Sequence, residues 1–364
     1  MPPREAVQFL LEAGVLRNDE VVGYGVEVRN VSRRNNGLKV ACPSGPSFYV
    51  KEGIGQERQR TVAAEARVLV DLLSGSARQP ATASSFLPQF VAFDPDRCVL
   101  VTRLVPNGQS LVDLRPRYRL FSEGVARAIG ASLGQFHCLA DDAEANRRAD
   151  APDFVPFPFI AVEPQLTMLL SLSSGNVELV RVVQNTDEFL SLLHAVRLSW
   201  NVDHLIHGDM RMDNCVLSRR GRRSVVTIVD WELAGRGDPA WDIGTVIAEF
   251  IGAWLLSVPI VQDTTAQEVF RCSQFPFITI QRAIGAFIRA YYHACRTKRW
   301  TRSIGPARIA RFAALRLIQI AFEQLQSASE LTGQAVYLLQ LSLNLLQKPD
   351  TATMAFLGWA QSEE

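Results

Sequence analysis

Two short polar segments of the sequence carry side chains that could bind a cation. The first, HGDMRMDN, spans residues 207–214 and contains Asp209 and, five residues later, Asn214. The second follows the apolar run VVTIV and begins with Asp230. Carboxylate and amide oxygens are ligands that Mg²⁺ prefers, and one or two of them commonly hold it together with nucleotide phosphates. The spacing therefore predicts a cleft in which Asp209 faces an acceptor while Asn214 and Asp230 face a magnesium–nucleotide complex.

The order of these segments is more informative than any one of them, because a lone HxD triplet occurs by chance. HGD is followed by Asn at plus five, then by an apolar strand that ends in DWE, and then by GDPAWD at 237–242. At these residues the chain resembles the aminoglycoside phosphotransferase and choline kinase family of the protein-kinase-like fold. The resemblance is specific for residues 205–244 and extends over the whole chain by architecture.

This resemblance implies a role for each matched residue in an ATP- and Mg²⁺-dependent transfer of phosphate to a hydroxyl. Asp209 is expected to be the catalytic base or hydroxyl-orienting residue, and Asn214 and Asp230 are expected to be the magnesium ligands. His207 resembles the histidine that braces the loop. Asp242 resembles the aspartate that ties the loop's backbone to the large lobe, which is a structural role.

The same resemblance predicts a strand lysine and a helix glutamate from a small N-terminal lobe. Lys51 ends the apolar strand FYVK, and a plain solvated lysine is the alternative. Glu65 lies fourteen residues on, beside the apolar stripe of a helix predicted from about Glu57 to Leu73. We prefer Glu65 to Glu57 as the partner of Lys51, because the dipole of the helix N-terminus already accounts for an acidic residue at Glu57.

The predicted phosphate loop differs from that of protein kinases, which place a glycine-rich turn there. Between the strands VEVRNV and LKV the sequence is SRRNNG, with a single glycine. We expect Ser32, Asn35 and Asn36 to donate hydrogen bonds to phosphates instead. Arg33 or Arg34 could add positive charge, and solvated arginines are an equal alternative.

Two further contacts rest on the resemblance. The segment CVLVTRLVPNG is predicted to be the hinge between lobes, with the backbone from Arg103 to Val105 meeting the adenine. Arg211, two residues past Asp209, lies where protein kinases place a lysine on the transferred phosphate. Both a chemical and a purely structural role for Arg211 stay open.

The composition is that of a globular protein large enough for two lobes. The chain has 364 residues, of which 48 % are hydrophobic and 21 % are charged. Strand-like segments concentrate before about residue 105, and helical periodicity dominates after it. We therefore predict an α+β, two-lobed protein-kinase-like fold, with a β-rich N-terminal lobe over 1–105 and a larger helical lobe over 106–364.

The net charge argues against nucleic-acid and membrane partners, and the cysteine spacing argues against a disulfide or zinc framework. The net charge of +1 gives no reason to expect nucleic acid or a membrane surface. The six cysteines contain no CxxC pair, which is typical of reduced thiols in a cytoplasmic protein. The apolar stretch TVIAEFIGAWLLSVPIVQ contains Glu249 and Pro259 and lacks basic anchors, so we interpret it as a buried helix rather than a membrane span.

The charge of the large lobe leaves the acceptor open. A polycationic aminoglycoside should favour surrounding carboxylates. Residues 251–364 carry eleven Lys and Arg against seven Asp and Glu, whereas residues 141–190 carry nine acids against three arginines.

The layout is also similar to kinase-like proteins encoded with peptide-modifying lyases, of the lanthipeptide or thioamitide type. The similarity is clearest in GDPAWDIGTVIAEFIGAWL and LQLSLNLLQKPD. The favoured acceptor is therefore Ser or Thr of a precursor peptide, from which a partner lyase would eliminate phosphate. A small-molecule hydroxyl of aminoglycoside, choline-like or sugar type is the alternative, and a nucleotide-binding pseudokinase scaffold is the second alternative.

Overall fold

The computed structural model describes most of the chain, in the ranges 1–31, 36–43, 45–75, 86–117, 121–141, 151–162, 168, 170–258 and 273–357. Of the predicted phosphate loop, Ser32, Arg33 and Asn35 lie outside the described residues. The same holds for residues 142–150 of the acidic segment that was weighed for acceptor binding.

An antiparallel five-stranded sheet forms the N-terminal part, with the spatial order β1-β2-β3-β5-β4. Its strands are β1 Glu27–Asn30, β2 Asn36–Ala41, β3 Phe48–Glu52, β4 Phe90–Asp94 and β5 Val99–Arg103. Helices α1 Pro3–Glu12 and α2 Asn18–Tyr24 precede the sheet, and α3 Gln56–Gly75 follows β3. Aliphatic residues of β2, β3 and β5 alternate toward a small core that Phe9 and Leu10 of α1 complete.

Helices dominate the rest of the chain. They are α4 Glu123–Ala140, α5 Phe157–Val162, α6 Ser174–Asn185, α7 Asp187–Leu198, α8 Pro239–Leu255, α9 Phe277–Ala294, α10 Pro306–Gln324, α11 Gly333–Gln347 and α12 Pro349–Leu357. The predicted α+β architecture, with a β-rich N-terminal part and a helical remainder, is confirmed. The last strand of the large sheet ends at Arg103, and the boundary near residue 105 stays a prediction.

Two small sheets position the polar segments that could bind a cation. Strand β7 His204–Ile206 pairs with β10 Gly235–Gly237 and leads into HGDMRMDN. Strand β8 Cys215–Arg220 pairs with β9 Arg223–Ile228 on one side and with β6 Gln109–Ser110 on the other. Because β9 ends at Ile228, it delivers Asp230 next to the loop that carries Asp209 and Asn214.

Helix α8 is the centre of the larger core. All of its residues except Ala253 are buried, and α10 packs along it. This burial explains the long apolar stretch that begins near Thr245. Among the described residues, no helix has both the length and the apolarity needed to cross a bilayer.

Close packing of α8 against α10 makes Gly244 a sensitive position. A Cβ at Gly244 would lie 2.7 Å from the backbone nitrogen of Ala313, and backbone cannot move aside cheaply. A Cβ at Gly252, in the same helix, would meet only the flexible end of Ile320, at 3.2 Å. Both replacements gain about 1 kcal/mol of helix propensity.

We therefore predict that Gly244→Ala is less stable than Gly252→Ala by about 2 kcal/mol or more, since only Gly244→Ala forces two helix backbones apart. Denaturant unfolding of the two variants, monitored by circular dichroism, measures the difference. Equal unfolding free energies would show that α8 and α10 do not approach as closely as described.

Candidate active site

A buried carboxylate, Asp242 at the start of α8, holds the backbone of the HGD segment. Its oxygens accept the N–H groups of His207 at 2.8 Å and Gly208 at 3.0 Å, and Nε2 of His137 lies 3.1 Å away. The Trp241 indole donates to the Gly208 carbonyl at 2.9 Å. A fully buried carboxylate is stable only when such donors satisfy it. Asp242 therefore positions the loop rather than reacting.

His207 links this loop to the segment that precedes Asp230. Its Nδ1 accepts the N–H of Asp209 at 3.3 Å, so the ring proton lies on Nε2, which donates to the Val229 carbonyl at 3.1 Å. The His207 ring also packs edge-on against Trp231, with 4.7 Å between centroids. The two polar segments are thus fixed relative to each other.

Asp209 and Asn214 lie side by side at the end of the loop. The Asn214 amide Nδ2 donates to the Asp209 carbonyl and to its Oδ2, both at 2.9 Å. This leaves the Asn214 Oδ1 without a hydrogen bond in the part of the chain that the structure describes. Desolvation raises the pKa of Asp209, and the positive charges of Arg211 and Arg316 oppose that rise.

A single lysine from the N-terminal sheet sits among three carboxylates. Lys51 of β3 is only 4 % exposed, and its Nζ lies 2.6 Å from Glu65 of α3 and 3.0 Å from Glu232. It also contacts the Asp230 carboxylate. Burial alone would lower the pKa of Lys51, but the three carboxylates outweigh burial and raise it well above its ordinary value. The lysine is therefore charged, and the cluster keeps a surplus of negative charge.

Glu65 is fixed from a second side. Its Oε1 accepts the backbone N–H of Trp231 at 3.2 Å, so helix α3 is joined to the segment after Asp230. Burial raises the pKa of Glu65, and Lys51 opposes that rise. Glu57, the alternative partner considered for Lys51, is exposed at the helix N-terminus.

Asp230 has an unusual backbone. Its φ of 65° and ψ of 65° lie in the left-handed region, which is uncommon for residues other than glycine and is enriched at functional sites. The Asp230 side chain is 40 % exposed, and one oxygen contacts Lys51. Within the described ranges its second oxygen has no partner. Asp230 therefore keeps one carboxylate oxygen free to bind a cation.

Arg211 is held beside Asp209 by other acids. Its guanidinium contacts both oxygens of Asp213, at 2.7 and 3.2 Å, and lies 3.7 Å from Glu323 of α10. The distance from Arg211 Nε to Asp209 Oδ1 is 3.6 Å. These contacts place Arg211 within reach of a group bound at Asp209.

Arg316 supports the loop from inside the helical part. It is 1 % exposed, and it contacts Glu323 at 2.6 Å and Glu249 of α8 at 3.0 Å. Glu249 in turn accepts the backbone N–H of Met212 at 3.4 Å. The buried arginine thus joins α8 and α10 to the loop that carries Asp209.

These supporting residues were not predicted from the sequence. Glu232, Glu249, Arg316 and Glu323 are single charged residues in apolar or polar surroundings, and the HGD and DWE motifs do not identify their partners. An available signal was the charge of Glu249 inside the strongly apolar helix α8, since buried charges are paired.

The other predicted residues that the structure describes form no hydrogen bond with these clusters. Asn36 in β2 donates to Glu52 at 3.3 Å. Arg103 is exposed at the end of β5, and its N–H is bonded to the Gln89 carbonyl at 2.9 Å. The N–H of Val105 makes no hydrogen bond with any described residue, so it is available to a ligand.

The donor set fits a magnesium ion. Asn214 Oδ1 and one oxygen of Asp230 have no partner among the described residues. The bond from Val229 N–H to the Asn214 carbonyl, at 2.9 Å, holds their two segments together. The described residues contain no group of three or more His, Cys, Asp and Glu side chains able to hold a metal alone. Two protein ligands are typical of Mg²⁺ that is bound together with phosphates.

Comparison with known proteins identifies the family. The family described as Phosphotransferase enzyme family (APH) matches residues 56–269, which is more than half of the chain. Comparison with curated protein sequences gives no match.

Solved structures share the fold at low identity. A choline/ethanolamine kinase family protein from Mesorhizobium loti is 16 % identical, with a TM-score of 0.55 over 98 % of this chain and 100 % of that one. The ethanolamine kinase of Plasmodium vivax is 11 % identical, with a TM-score of 0.54 over 92 % and 86 %. An amicoumacin kinase, solved with AMP-PNP and Ca²⁺, is 13 % identical, with a TM-score of 0.53 over 94 % and 93 %. The chain belongs to the phosphotransferase enzyme family, whose members transfer phosphate to hydroxyl groups.

Proposed function

We propose that this phosphotransferase uses ATP and Mg²⁺ to phosphorylate a hydroxyl of a small molecule. The observation that carries the proposal is the meeting of two clusters, Lys51 with Glu65 and Asp230, and Asp209 with Asn214. A buried, charged lysine suits the phosphates of a nucleotide, and a free carboxylate beside it suits a divalent cation. The presence of all these residue types argues against a scaffold without turnover.

The residues divide the work between donor and acceptor. Lys51, oriented by Glu65, holds the nucleotide phosphates, and the backbone near Val105 holds the base. Asn214 Oδ1 and Asp230 would hold Mg²⁺, which would neutralise charge on the phosphates. Ser32, Arg33, Asn35 and Asn36 stay predicted phosphate contacts.

Asp209 acts on the acceptor. Asn214 engages its Oδ2, so Oδ1 is left to accept a hydrogen bond from the acceptor hydroxyl. As the hydroxyl oxygen bonds to the γ-phosphorus, the bond from that phosphorus to the bridging oxygen breaks. ADP leaves, and the hydroxyl proton passes to the Asp209 carboxylate. Arg211, beside Oδ1, contacts the transferred phosphate.

Charge on the α10 side of Asp209 favours a neutral or cationic acceptor. Arg211 and Arg316 are outnumbered there by Asp209, Asp213, Glu249 and Glu323. A net negative charge around the acceptor site attracts the protonated amino groups of amino alcohols and amino sugars.

A precursor-peptide Ser or Thr, processed further by a lyase, is the second candidate acceptor. This candidate rests on the similarity of two segments, GDPAWDIGTVIAEFIGAWL and LQLSLNLLQKPD, to kinase-like proteins encoded with peptide-modifying lyases. The first of these segments includes the buried helix α8, and the second includes buried residues of α11. The similarity therefore describes the core of the fold, and we place a small-molecule acceptor ahead of a peptide.

Asp209→Asn separates catalysis from stability. We predict a turnover lowered by about 10²- to 10⁴-fold, because the proton acceptor is lost, with nucleotide affinity unchanged. A raised pKa means that folding disfavours the ionised carboxylate, so the neutral amide should raise the melting temperature at pH 8. This gain should shrink as the pH falls through the raised pKa, where the wild-type carboxyl becomes neutral too.

Steady-state kinetics, nucleotide titration and thermal melts between pH 4 and pH 8 give these quantities. Asp96→Asn, which makes the same change at an exposed turn, is the matched control and should alter neither activity nor melting. Turnover of Asp209→Asn near the wild-type rate would contradict the assignment.

The acceptor class is tested by direct product analysis. The purified chain, ATP and Mg²⁺ are incubated with choline, ethanolamine, aminoglycosides, simple sugars and Ser/Thr-containing candidate peptides, with and without a partner lyase. We expect one added phosphate, seen by mass spectrometry, on a small molecule and dependence of that product on Asp209. Modification of a peptide alone, by phosphate gain or by water loss with the lyase, would overturn the small-molecule proposal.

A further inference from the structure

A second concave site lies away from the clusters around Lys51 and Asp209. Its volume is about 760 Å³, and it is bounded by the chain segment after the predicted hinge, the start of α4 and the β8–β9 hairpin. The described residues of its lining include none that contacts Lys51 or Asp209. This volume is in the range of small-molecule sites.

One hydroxyl in this cavity has no hydrogen-bond partner among the described residues. Ser218 of β8 is 8 % exposed and lines the cavity, yet its hydroxyl forms no hydrogen bond with any described residue. The hydroxyl oxygen itself stays accessible to solvent, so a molecule in the cavity can reach it. A bound molecule with an acceptor oxygen would satisfy Ser218.

Among the described lining residues of the cavity, one side chain is charged, and it is cationic. Arg219 lines it and is exposed, and no described acidic side chain pairs with it. Arg222 and Arg223 follow in the same turn, whose sequence is RRGRR. A guanidinium without a carboxylate partner binds phosphate or carboxylate groups through paired N–H donors.

The start of α4 adds donors from the opposite wall. Ser122, its N-cap residue, and Gly124 both line the cavity. The Ser122 side chain accepts no hydrogen bond from the first turn, so those N–H groups stay available. The N-terminal end of this 18-residue helix carries a partial positive charge, which the acidic Glu123 in its first turn partly offsets.

We propose that this cavity is a second binding site for a small molecule that bears a phosphate or carboxylate group. The anionic group is held by Arg219, by the Ser218 hydroxyl and by the start of α4, and the apolar side chains of Leu114, Val125 and Leu217 cover the rest of the ligand. The described lining of this cavity shares no residue with the proposed nucleotide and acceptor sites, so the proposal does not depend on which acceptor is used.

Equilibrium titration tests the site in the full chain with Mg²⁺ and AMP-PNP saturating the nucleotide cleft. The probes are inorganic phosphate, glycerol 3-phosphate and citrate, which separate free phosphate, organic phosphate and carboxylate as sources of the anion. We expect saturable binding of at least one probe, weakened about tenfold or more by Arg219→Gln because a charge-assisted contact is lost.

Arg222→Gln is the matched control, because it removes the same charge from the same turn at a residue outside the described lining. It should leave the affinity within about threefold of wild type, since an exposed charge acts through screened solvent. Absence of saturable binding of all three probes to the wild type would overturn the proposal. An equal loss of probe affinity in Arg219→Gln and Arg222→Gln would also overturn it. The anion would then be attracted by the overall positive charge of the RRGRR turn and not bound at a specific site.

Discussion

The burial of Lys51 among three carboxylates is the constraint on which the rest of the site depends. Glu65, Asp230 and Glu232 can share this small volume only because one ammonium group compensates part of their charge. The lysine comes from the N-terminal sheet, Glu65 from α3, and the other two acids from the segment after β9. A single ion cluster therefore holds three separate parts of the fold together, and it keeps a surplus of negative charge suited to a divalent cation.

Two buried networks then place the reacting loop against this cluster. Asp242 fixes the backbone at His207 and Gly208, and Arg316 supports the backbone at Met212 through Glu249. Removing one partner of such a buried pair typically costs about 3–5 kcal/mol, because the other charge stays uncompensated. The apolar helices α8 and α10 carry these groups, so the helical core acts directly on the geometry at Asp209.

The sequence predicted best those site contacts whose residues lie close together in the chain. Asp209 and Asn214 lie in one short loop and Asp230 at the end of the next hairpin, so motif spacing already indicated that they would meet. The pairing of Lys51 with Glu65 is also seen in the structure, and there the family resemblance supplied what spacing alone could not.

The parts that sequence reasoning missed depend on contacts between distant segments. Arg316 pairs with Glu249, which lies 67 residues earlier in the chain. Strand β10 has only three residues and no hydrophobic pattern. In α3, Val70 lies four residues after the buried Ala66, a spacing that predicts burial, but it is 42 % exposed, whereas Leu72 is buried. Helical periodicity identifies a face only to within about one residue on either side, and the packing partner decides which residues are covered.

The metal dependence of nucleotide binding tests the central claim most directly. Calorimetric titration of AMP-PNP with and without Mg²⁺ should show affinity tightened about tenfold or more by the metal in the wild type, which is about 1.4 kcal/mol. In Asp230→Asn most of that gain should disappear, while binding without metal remains. If Asp230→Asn kept the full gain, the carboxylate beside Lys51 would not hold the cation, and the account of this cleft would be contradicted.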